Sequence, residues 1–207
     1  MHPTSNHNPT RKRYNRIAVV YDLIDAPLEH LRFASWRAMI KNRIKGCMVL
    51  EVGVGTGKNM KYYPDGTQIT AVDFSPRMLE RARRRAELYG LDVRLAEMDV
   101  QDLAFADDSF DTVFATFVFC SVPVPVQGLR ELLRVCKPEG RLVLLEHVRP
   151  ASRLLGIMFD LFNPFVVRLM GANINRRTIG NIQAAGWQIR TQQKLSSDIV
   201  WLIEATP

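Results

Sequence analysis

The fold is decided by one stretch, Val49-Leu50-Glu51-Val52-Gly53-Val54-Gly55-Thr56-Gly57, in which an apolar run meets a glycine-rich turn. The apolar half predicts a short buried strand, Met48–Val52, and the glycines predict a tight turn at its end. The backbone of such a turn can approach a ligand closely, and the N-terminus of the next helix presents free N–H groups. The spacing is G-x-G-x-G, which differs from the G-x-G-x-x-G of pyrophosphate-binding turns. Because Glu51 would repel a pyrophosphate, the turn favours a ligand that carries an ammonium group.

A second acid follows the second predicted strand. The apolar run 68–72 ends at Asp73, twenty residues after Gly53. In a parallel sheet an acid at this place accepts hydrogen bonds from ribose hydroxyls. Asp73 also stands two residues before Ser75-Pro76, which opens a helix, so its alternative role is to cap that helix.

A third acid follows the third predicted strand, Val93–Glu97. It lies in Met98-Asp99-Val100, where Asp99 can accept a hydrogen bond from an adenine amine. Asp102 is close by, and either acid could instead cap a turn. Three successive strands thus end near a carboxylate at one edge of the sheet. The ligand that they imply has a ribose, an adenine and a cationic amino group, but no phosphate.

Strands and helices alternate along the rest of the chain, and the strands are apolar on both faces. The predicted strands lie at 48–52, 68–72, 93–97, 110–116, 141–146, 187–192 and 199–204. The predicted helices lie at 75–89, 126–136 and 178–185. This alternation predicts an α/β fold, a Rossmann-like, mostly parallel sheet of seven strands with helices on both faces. The last two strands predict an antiparallel C-terminal hairpin at the sheet edge.

These motifs resemble the class I S-adenosylmethionine-dependent methyltransferases, and within them the UbiE-like group. The matching stretches lie at 49–59, 71–78, 98–102 and 108–150, in the order that the family has them. The resemblance implies methyl transfer, with S-adenosyl-L-methionine as the cofactor.

The resemblance also implies which residues contact the cofactor. The methionine part would be held by Glu51, Gly53, Val54, Gly55, Thr56, Gly57 and Asn59. It would be lined on its other side by the segment 116–121, above all by Thr116 and Phe117. The ribose would be held by Asp73, and the adenosine would contact Phe74, Ser75, Met78, Asp99 and Val100.

Two finer resemblances concern the methyl acceptor. The stretches 56–59, 62–64, 120–122 and 146–148 resemble the membrane-associated proteins that methylate alkyl thiols. Tyr21-Asp22 and the basic N-terminal helix resemble bacterial phosphatidylethanolamine N-methyltransferases. The C-terminal part is expected to depart from UbiE itself, which argues against a role in quinone biosynthesis.

Two residues are candidates for catalysis, and each has a structural alternative. Tyr21 could place its ring or hydroxyl near the methionyl end of the cofactor, where an aromatic face suits a sulfonium cation. It could also be a core aromatic at helical spacing. His147 follows the fifth strand, where the acceptor pocket is expected, and could take a proton from an amine or thiol. It could equally be a structural histidine.

The positive charge of the chain is concentrated near its N-terminus. The 207 residues carry a formal charge of +7, and residues 1–45 hold nine Lys or Arg against three Asp or Glu. We expect a disordered tail over 1–10, a basic amphipathic helical arm and lid over 11–45, and the cofactor-binding domain over 46–207. Within the arm, Pro27 should separate two helices, the second of which runs to about Lys45.

The arm and the apolar segment 154–170 suggest where the acceptor comes from. Basic residues favour an anionic membrane. The segment is apolar over more than one helix face, so it could be a helix packed on the sheet edge or a partly exposed lid that contacts an acyl chain. We therefore expect a lipid-like small-molecule acceptor, with a phosphatidylethanolamine-type amine first and a soluble thiol as the alternative. An RNA-binding protein is the alternative of another class, but the arm lacks interleaved aromatic and basic residues, so we expect no nucleic acid partner. Three widely spaced cysteines and the polar N-terminus predict a cytoplasmic protein in peripheral contact with the inner face of the membrane.

Overall fold

The structure is a computed structural model that describes residues 14–15, 33–196 and 198–207. The predicted tail over 1–10, Tyr21 and all of the first arm helix except residues 14–15 lie outside the described residues. The second arm helix and nearly all of the segment 46–207 lie within them.

Seven strands form one sheet. They are β1 (Met48–Val52), β2 (Gln68–Asp73), β3 (Val93–Glu97), β4 (Phe110–Thr116), β5 (Cys136–His147), β6 (Gln188–Ser196) and β7 (Val200–Thr206). Their order across the sheet is β3-β2-β1-β4-β5-β7-β6. The first five strands are parallel, and β7 runs antiparallel between β5 and β6. The predicted parallel sheet and C-terminal hairpin are confirmed.

Helices cover both faces of the sheet. They are α1 (Ala34–Lys41), α2 (Pro76–Leu88), α3 (Pro125–Val135), α4 (Arg153–Met170) and α5 (Thr178–Ala184), with a short 3₁₀ turn at Met60–Tyr62. Successive strand residues point to opposite faces. Accordingly, Val49 packs in a core with residues of α1 and α2, whereas Leu50 packs in a second core with residues of α3 and α5.

Three predicted boundaries are wrong, one of them the end of β6, which runs to Ser196 and not to residue 192. The second arm helix was expected to reach Lys45 but ends at Lys41, because the N–H groups of Arg43 and Ile44 both turn back to the carbonyl of Ile40. The backbone N–H of Lys45 then donates to Thr112 in the sheet at 3.0 Å.

β5 begins at Cys136, five residues before the predicted start. Phe110 of β4 pairs with Cys136 and Thr112 pairs with Arg141, so a register shift takes up the turn-like residues 138–140. The predicted Ser75 cap is confirmed: its hydroxyl accepts from the N–H of Met78 at 3.2 Å, and Pro76 opens α2.

Candidate cofactor site

A cleft opens at the carboxyl ends of β1 to β4, where the strand order reverses. It encloses about 760 Å³, including the solvent at its mouth. Several predicted cofactor residues line it, namely Gly53, Gly55, Asp73, Phe74, Met78, Asp99, Val100, Thr116 and Phe117. The other predicted cofactor residues lie behind the cleft wall. In sheets of this kind ligands bind at this reversal point, so the cleft is the candidate site.

The glycine turn forms the wall beside β1. Gly53 and Gly55 both have positive φ angles, +65° and +56°, which L side chains rarely adopt. A Cβ on Gly53 would come 2.4 Å from the side chain of Val118, whereas a Cβ on Gly55 would meet nothing nearer than a carbonyl oxygen at 4.0 Å. Gly53 therefore lets the glycine turn pack directly against Val118. The space over Gly55 is open to a ligand.

Asp73 holds the corner between β2 and α2. Its carboxylate accepts from the backbone N–H groups of Gly55 and Ser75, each at 2.9 Å. Burial raises the pKa of Asp73 to about 6, and the two backbone N–H groups oppose that rise. Because Ser75 is the cap of α2, the alternative role of Asp73 as that cap is not needed. Asp73 fixes the glycine turn and also lines the cleft.

Glu51 lies beneath the cleft rather than in its wall. It is 1% exposed, and its carboxylate accepts from the Asn59 amide at 2.6 Å and from the Tyr63 hydroxyl. The same amide donates to the hydroxyl of Thr116 at 3.0 Å, and Arg37 donates to the amide oxygen of Asn59 at 2.9 Å. Burial raises the pKa of Glu51 to about 7, against the bonds from Tyr63 and Asn59. The network connects the strand before the glycine turn to Thr116 on the opposite wall.

Three more predicted residues support the turn from behind. Val54 is buried, and its N–H donates to the carbonyl of Val72 at 3.0 Å. The carbonyl and hydroxyl of Thr56 accept from Arg85 of α2 at 2.6 and 3.0 Å. Gly57 has a φ of +83°. Arg85 of α2 therefore supports the turn from behind.

Asp99 and not Asp102 lies at the cleft. The carboxylate of Asp99 accepts from the backbone N–H of Gln101 at 3.0 Å and from its side-chain amide at 3.1 Å. The N–H of Asp102 donates to the backbone carbonyl of Asp99 at 3.0 Å, which closes the turn. Asp99 thus combines the two alternatives that the sequence left open, since it caps a turn and also faces the cleft.

Phe117 separates His147 from the cleft. It lines the cleft with a φ of +57°, which is rare for a bulky residue. Its ring lies between those of Phe33 and His147, with centroid distances of 4.9 and 4.6 Å. The backbone carbonyl of His147 accepts from Thr178 at 3.0 Å. The two predicted catalytic residues are therefore not brought together: His147 stands behind Phe117, and Tyr21 is outside the described residues.

Tyr14 lines the cleft, and sequence reasoning missed it. Its hydroxyl shares a 2.7 Å hydrogen bond with Ser121, and its ring packs edge-on against Phe74 with a centroid distance of 5.8 Å. The next residue, Asn15, accepts from the hydroxyl of Ser75 at 2.6 Å. Through these contacts residues 14–15 connect the cleft residues that follow β2 with those that follow β4. In the sequence Tyr14 is one of several apolar residues at helical spacing, so nothing distinguishes it.

Comparison with known proteins gives the family. The methyltransferase domain family matches residues 50–144. A demethylmenaquinone methyltransferase from Clavibacter sepedonicus is 34% identical over 198 residues, which cover 91% of this chain and 78% of that protein. A phosphatidylethanolamine N-methyltransferase from Cereibacter sphaeroides is 43% identical over 105 residues, which cover 50% of this chain and 52% of that protein. This chain therefore spans about half the length of the second relative.

A solved structure agrees on the fold. The SAM-dependent methyltransferase of Thermotoga maritima, described as a possible histamine N-methyltransferase, superposes with a TM-score of 0.70 at 21% identity, over 94% of this chain and 98% of that one. The chain belongs to the class I S-adenosylmethionine-dependent methyltransferases, and S-adenosylmethionine is its cofactor. The relative from Clavibacter matches most of the chain beyond residue 150 as well, which does not agree with the expected departure from quinone methyltransferases.

The cleft has the chemistry that this cofactor needs. Asp73 and Asp99 supply carboxylates for hydroxyl and amine donors, while Met78 and Val100 supply apolar surface for a planar base. The open space over Gly55 lets the backbone approach a ligand. These features fit an adenosine with a short, charged extension.

Proposed function

We propose that the protein transfers a methyl group from S-adenosylmethionine to an amphiphilic, lipid-like molecule at a membrane surface. The amine of a phosphatidylethanolamine-type lipid is the first candidate. The observation that carries the proposal is the row of seven large apolar side chains on α4 that are exposed to solvent. The relative named as a phosphatidylethanolamine N-methyltransferase supports the choice of lipid.

Two polar side chains of α4, the exposed Asp160 and the half-buried Asn163, bond to neighbouring segments. Asp160 accepts from Arg149 at 2.7 Å and from the Asn175 amide at 3.0 Å. One turn further on, the side-chain oxygen of Asn163 accepts from the backbone N–H of Ile174 at 2.9 Å. These bonds attach the helix to the segment 173–176. Phe159, Val166 and Val167 of the same helix are half-buried, so apolar side chains also pack toward the protein.

The outer face of α4 is apolar and exposed. Between 40% and 74% of each of these residues is accessible to solvent: Leu154, Leu155, Ile157, Met158, Leu161, Phe162 and Phe165. Large contiguous apolar patches mark interaction surfaces, and helices of this kind lie in the interface of a bilayer. Arg153 and Arg168 are exposed near the two ends of the helix, where they suit anionic headgroups. No described helix is both long and apolar enough to cross a membrane.

The helix is connected to the cleft by a short path. Asn163 donates to Asn173 at 3.3 Å, and Asn173 donates through its backbone and its side chain to the carbonyl of Cys120, at 2.8 and 3.1 Å. The next residue, Ser121, lines the cleft. A molecule held in the bilayer beneath α4 would therefore lie close to the wall that follows β4.

Within the cleft, we propose a division of roles that follows the chemistry of each lining residue. Asp73 accepts from the ribose hydroxyls and Asp99 from the adenine amine, while Phe74, Met78 and Val100 pack on the adenosine. Gly53 and Gly55 lie along the methionine part, opposite Thr116 and Phe117. The remaining predicted residues act from behind, namely Glu51, Val54, Thr56, Gly57, Asn59 and Ser75.

The protein's part in the transfer is mainly alignment. S-adenosylmethionine supplies a methyl group on a sulfonium centre, which is already a good leaving group. Alignment of two reactants can contribute about 7–11 kcal/mol to catalysis. An amine acceptor must first lose a proton, since an ammonium has no lone pair. We propose Tyr21 as an acceptor contact and His147 as the base, a role that requires the ring of Phe117 to move aside so that His147 reaches the cleft.

A reduced quinone is the second candidate acceptor. The match to the demethylmenaquinone methyltransferase extends over most of the chain, and a membrane quinone is equally lipid-like. Such an acceptor would also approach from the bilayer side. The two candidates share the membrane approach and differ in the atom that is methylated.

The acceptor is tested by comparing three substrates with S-adenosylmethionine that carries a deuterated methyl group. Vesicles containing phosphatidylethanolamine, vesicles containing a reduced menaquinone precursor and a soluble alkyl thiol are incubated separately, and mass spectrometry gives the initial rates. We expect the fastest transfer to phosphatidylethanolamine. A faster rate with the quinone would select the second candidate, and a faster rate with the thiol would contradict a lipid-like acceptor.

The role of Asp73 is tested by Asp73→Asn, which keeps the size of the side chain and removes the charge. Charge-assisted hydrogen bonds are the stronger ones, so we expect binding of S-adenosylhomocysteine to weaken by about tenfold or more. Asp92→Asn is the control, because Asp92 is exposed just before the amino end of β3. Equal affinities for both variants, measured by calorimetry, would refute the assignment.

A further inference from the structure

Glu146, near the end of β5, is completely buried and is not part of the cleft wall. One of its carboxylate oxygens accepts two backbone hydrogen bonds from the segment after β4, from Val118 at 2.7 Å and from Phe119 at 3.0 Å. Two N–H groups directed at one carboxylate oxygen fix the backbone direction of that segment. The segment includes Phe117 and Val118, which both line the cleft.

The segment needs such a support, because its conformation is unfavourable for its sequence. Phe117 has a φ of +57°, a region where bulky residues are strained. The N–H of Phe117 donates to the carbonyl of Leu145 at 2.8 Å, and that of Ser121 donates to the carbonyl of Val118 at 2.9 Å. Together with the bonds to Glu146, these contacts hold the segment as a compact turn.

The same turn connects the two walls of the cleft. The side chain of Val118 lies so close to Gly53 that a Cβ there would be 2.4 Å away. The ring of Phe117 packs against that of His147 in a tilted arrangement. A change in the turn would therefore displace both the glycine turn that faces the cofactor and the aromatic side chain in front of the proposed base.

We propose that Glu146 is a positioning residue for methyl transfer, which holds residues 117–119 in the conformation that completes the cofactor cleft. This inference rests on the proposed function, since it takes the cleft to be the cofactor site. Glu146 acts through Phe117 and Val118 and does not itself contact the substrates.

The electrostatic surroundings agree with this role. Burial raises the pKa of Glu146 to about 7, and the N–H groups of Phe119 and Val118 oppose that rise, followed by the charge of Arg176. The two backbone bonds thus stabilise the ionised carboxylate. Cys120 also lies near Glu146. Burial raises the pKa of the Cys120 thiol to about 12, so this thiol is neutral and carries no charge toward Glu146.

The test is a double-mutant cycle with Glu146→Gln and Phe117→Gly. The glutamine keeps an oxygen acceptor and the shape of the side chain but makes both hydrogen bonds neutral. We expect it to weaken binding of S-adenosylhomocysteine by about tenfold, the effect of losing charge assistance. Glycine adopts a positive φ without strain. In the Phe117→Gly background we therefore expect Glu146→Gln to cost less than about twofold. Each variant is measured well below its melting temperature.

Glu131→Gln is the matched control. Glu131 also accepts from a backbone N–H, that of Leu103 at 3.0 Å, but neither residue lines the cleft. We expect this variant to melt at a lower temperature and to bind the cofactor product within about twofold of the unmodified protein. A merely structural role for Glu146 would give the same pattern as Glu131.

The outcomes separate the two proposals. If the unmodified protein binds S-adenosylhomocysteine and Glu146→Gln binds it equally well, the positioning role is wrong and the proposed function stands. An equal cost of Glu146→Gln in both Phe117 backgrounds also overturns the positioning role. If the unmodified protein does not bind S-adenosylhomocysteine, both proposals fail.

Discussion

At the scale of single residues, the cofactor site is a place where carboxylates are withdrawn from water. Glu51 and Asp73 are 1% and 5% exposed, and each is surrounded by donors from the protein itself. Burial raises the pKa of Glu51 to about 7 and that of Asp73 to about 6, so both hold protons more tightly than they would in the unfolded chain. Buried acids of this kind cost stability in their charged form. A cationic cofactor favours that charged form.

We therefore predict that the protein without cofactor loses stability as the pH rises from about 4.5 to about 7. The folded state binds more protons than the unfolded state in this window, so the free energy of unfolding falls with pH. Glu51→Gln removes the contribution of one group, on the order of 2 kcal/mol. Urea unfolding at pH 5 and pH 8 measures the free energy of unfolding of both proteins. From pH 5 to pH 8 this free energy should fall less for Glu51→Gln than for the unmodified protein. A constant difference between the two would contradict the burial argument.

Some residue roles could be predicted from the sequence, and others could not. The acids Asp73 and Asp99 were identified because each follows a strand, and strand ends meet at one edge. Tyr14 and Tyr21 belong to the same helical pattern, so spacing alone cannot say which one lines a cleft. The position of His147 behind Phe117 depends on a positive φ, and no sequence rule predicts that angle for phenylalanine.

At the scale of elements, the glycine turn combines two different demands. Gly57 is needed for packing, because a Cβ there would lie 2.8 Å from the sulfur of Met60. Gly55 has open space over it and faces the cleft. The two positions share a left-handed conformation but differ in what surrounds them, which the sequence pattern alone does not reveal.

We predict that Gly55→Ala and Gly57→Ala fail in different ways. Both pay the strain of a positive φ, about 1–2 kcal/mol. Gly57→Ala adds an overpacking cost of roughly 1–3 kcal/mol and should lose more stability. Gly55→Ala should lose more affinity for S-adenosylhomocysteine, because its methyl group projects into the cleft. Urea unfolding and calorimetry measure the two effects, and the opposite ranking in either one would contradict this division.

The helix α4 was predicted from its apolar composition, but its orientation was not. The sequence shows abundant bulky residues from 154 to 170 and a few polar ones among them. Only the structure shows that Asp160 and Asn163 bond to neighbouring segments and that seven large apolar side chains of the helix are exposed. The orientation depends on bonds to residues 149 and 173–175, which lie outside the helix. The spacing of residues within the helix therefore does not predict it.

We predict that the double substitution Leu161→Ser, Phe165→Ser weakens binding to vesicles of phosphatidylethanolamine and an anionic lipid by about tenfold or more, since full burial of each such side chain contributes about 1.5–3 kcal/mol. Leu88→Ser at the end of α2 is the control, because Leu88 is 78% exposed. Sedimentation with vesicles measures the bound fraction. Unchanged binding would contradict the membrane role. A large fall in the free energy of unfolding of the double variant would also contradict it, because it would show that this face packs against another part of the chain.

At the scale of the whole molecule, the excess charge has more than one use. Arg37 is buried and donates to Asn59 in the network below the cleft. Arg43 donates to Gln193 at 3.0 Å and pairs with Glu204 at 3.3 Å, so it attaches the end of the arm to the hairpin. These arginines stabilise the domain itself, which weakens the alternative that the arm is a nucleic-acid-binding surface.

The sheet as a whole followed from the sequence because its strands are short, apolar and regularly separated by helices. Its order places β1 beside β4, and this reversal creates the cleft. The pairing of β7 between β5 and β6 is a long-range arrangement. The strand pattern predicted the hairpin of the last two strands, but it did not predict that β7 rather than β6 lies beside β5.

Binding of S-adenosylmethionine and its product in this cleft is tested most directly by the melting temperature of the protein. At a ligand concentration of 100 times Kd, binding adds about 2.7 kcal/mol. For a chain of this length we expect S-adenosylhomocysteine to raise the melting temperature by about 5–11 °C. NADH, which carries a pyrophosphate, should leave the temperature unchanged. A rise with NADH and none with S-adenosylhomocysteine would contradict the assignment of the cleft.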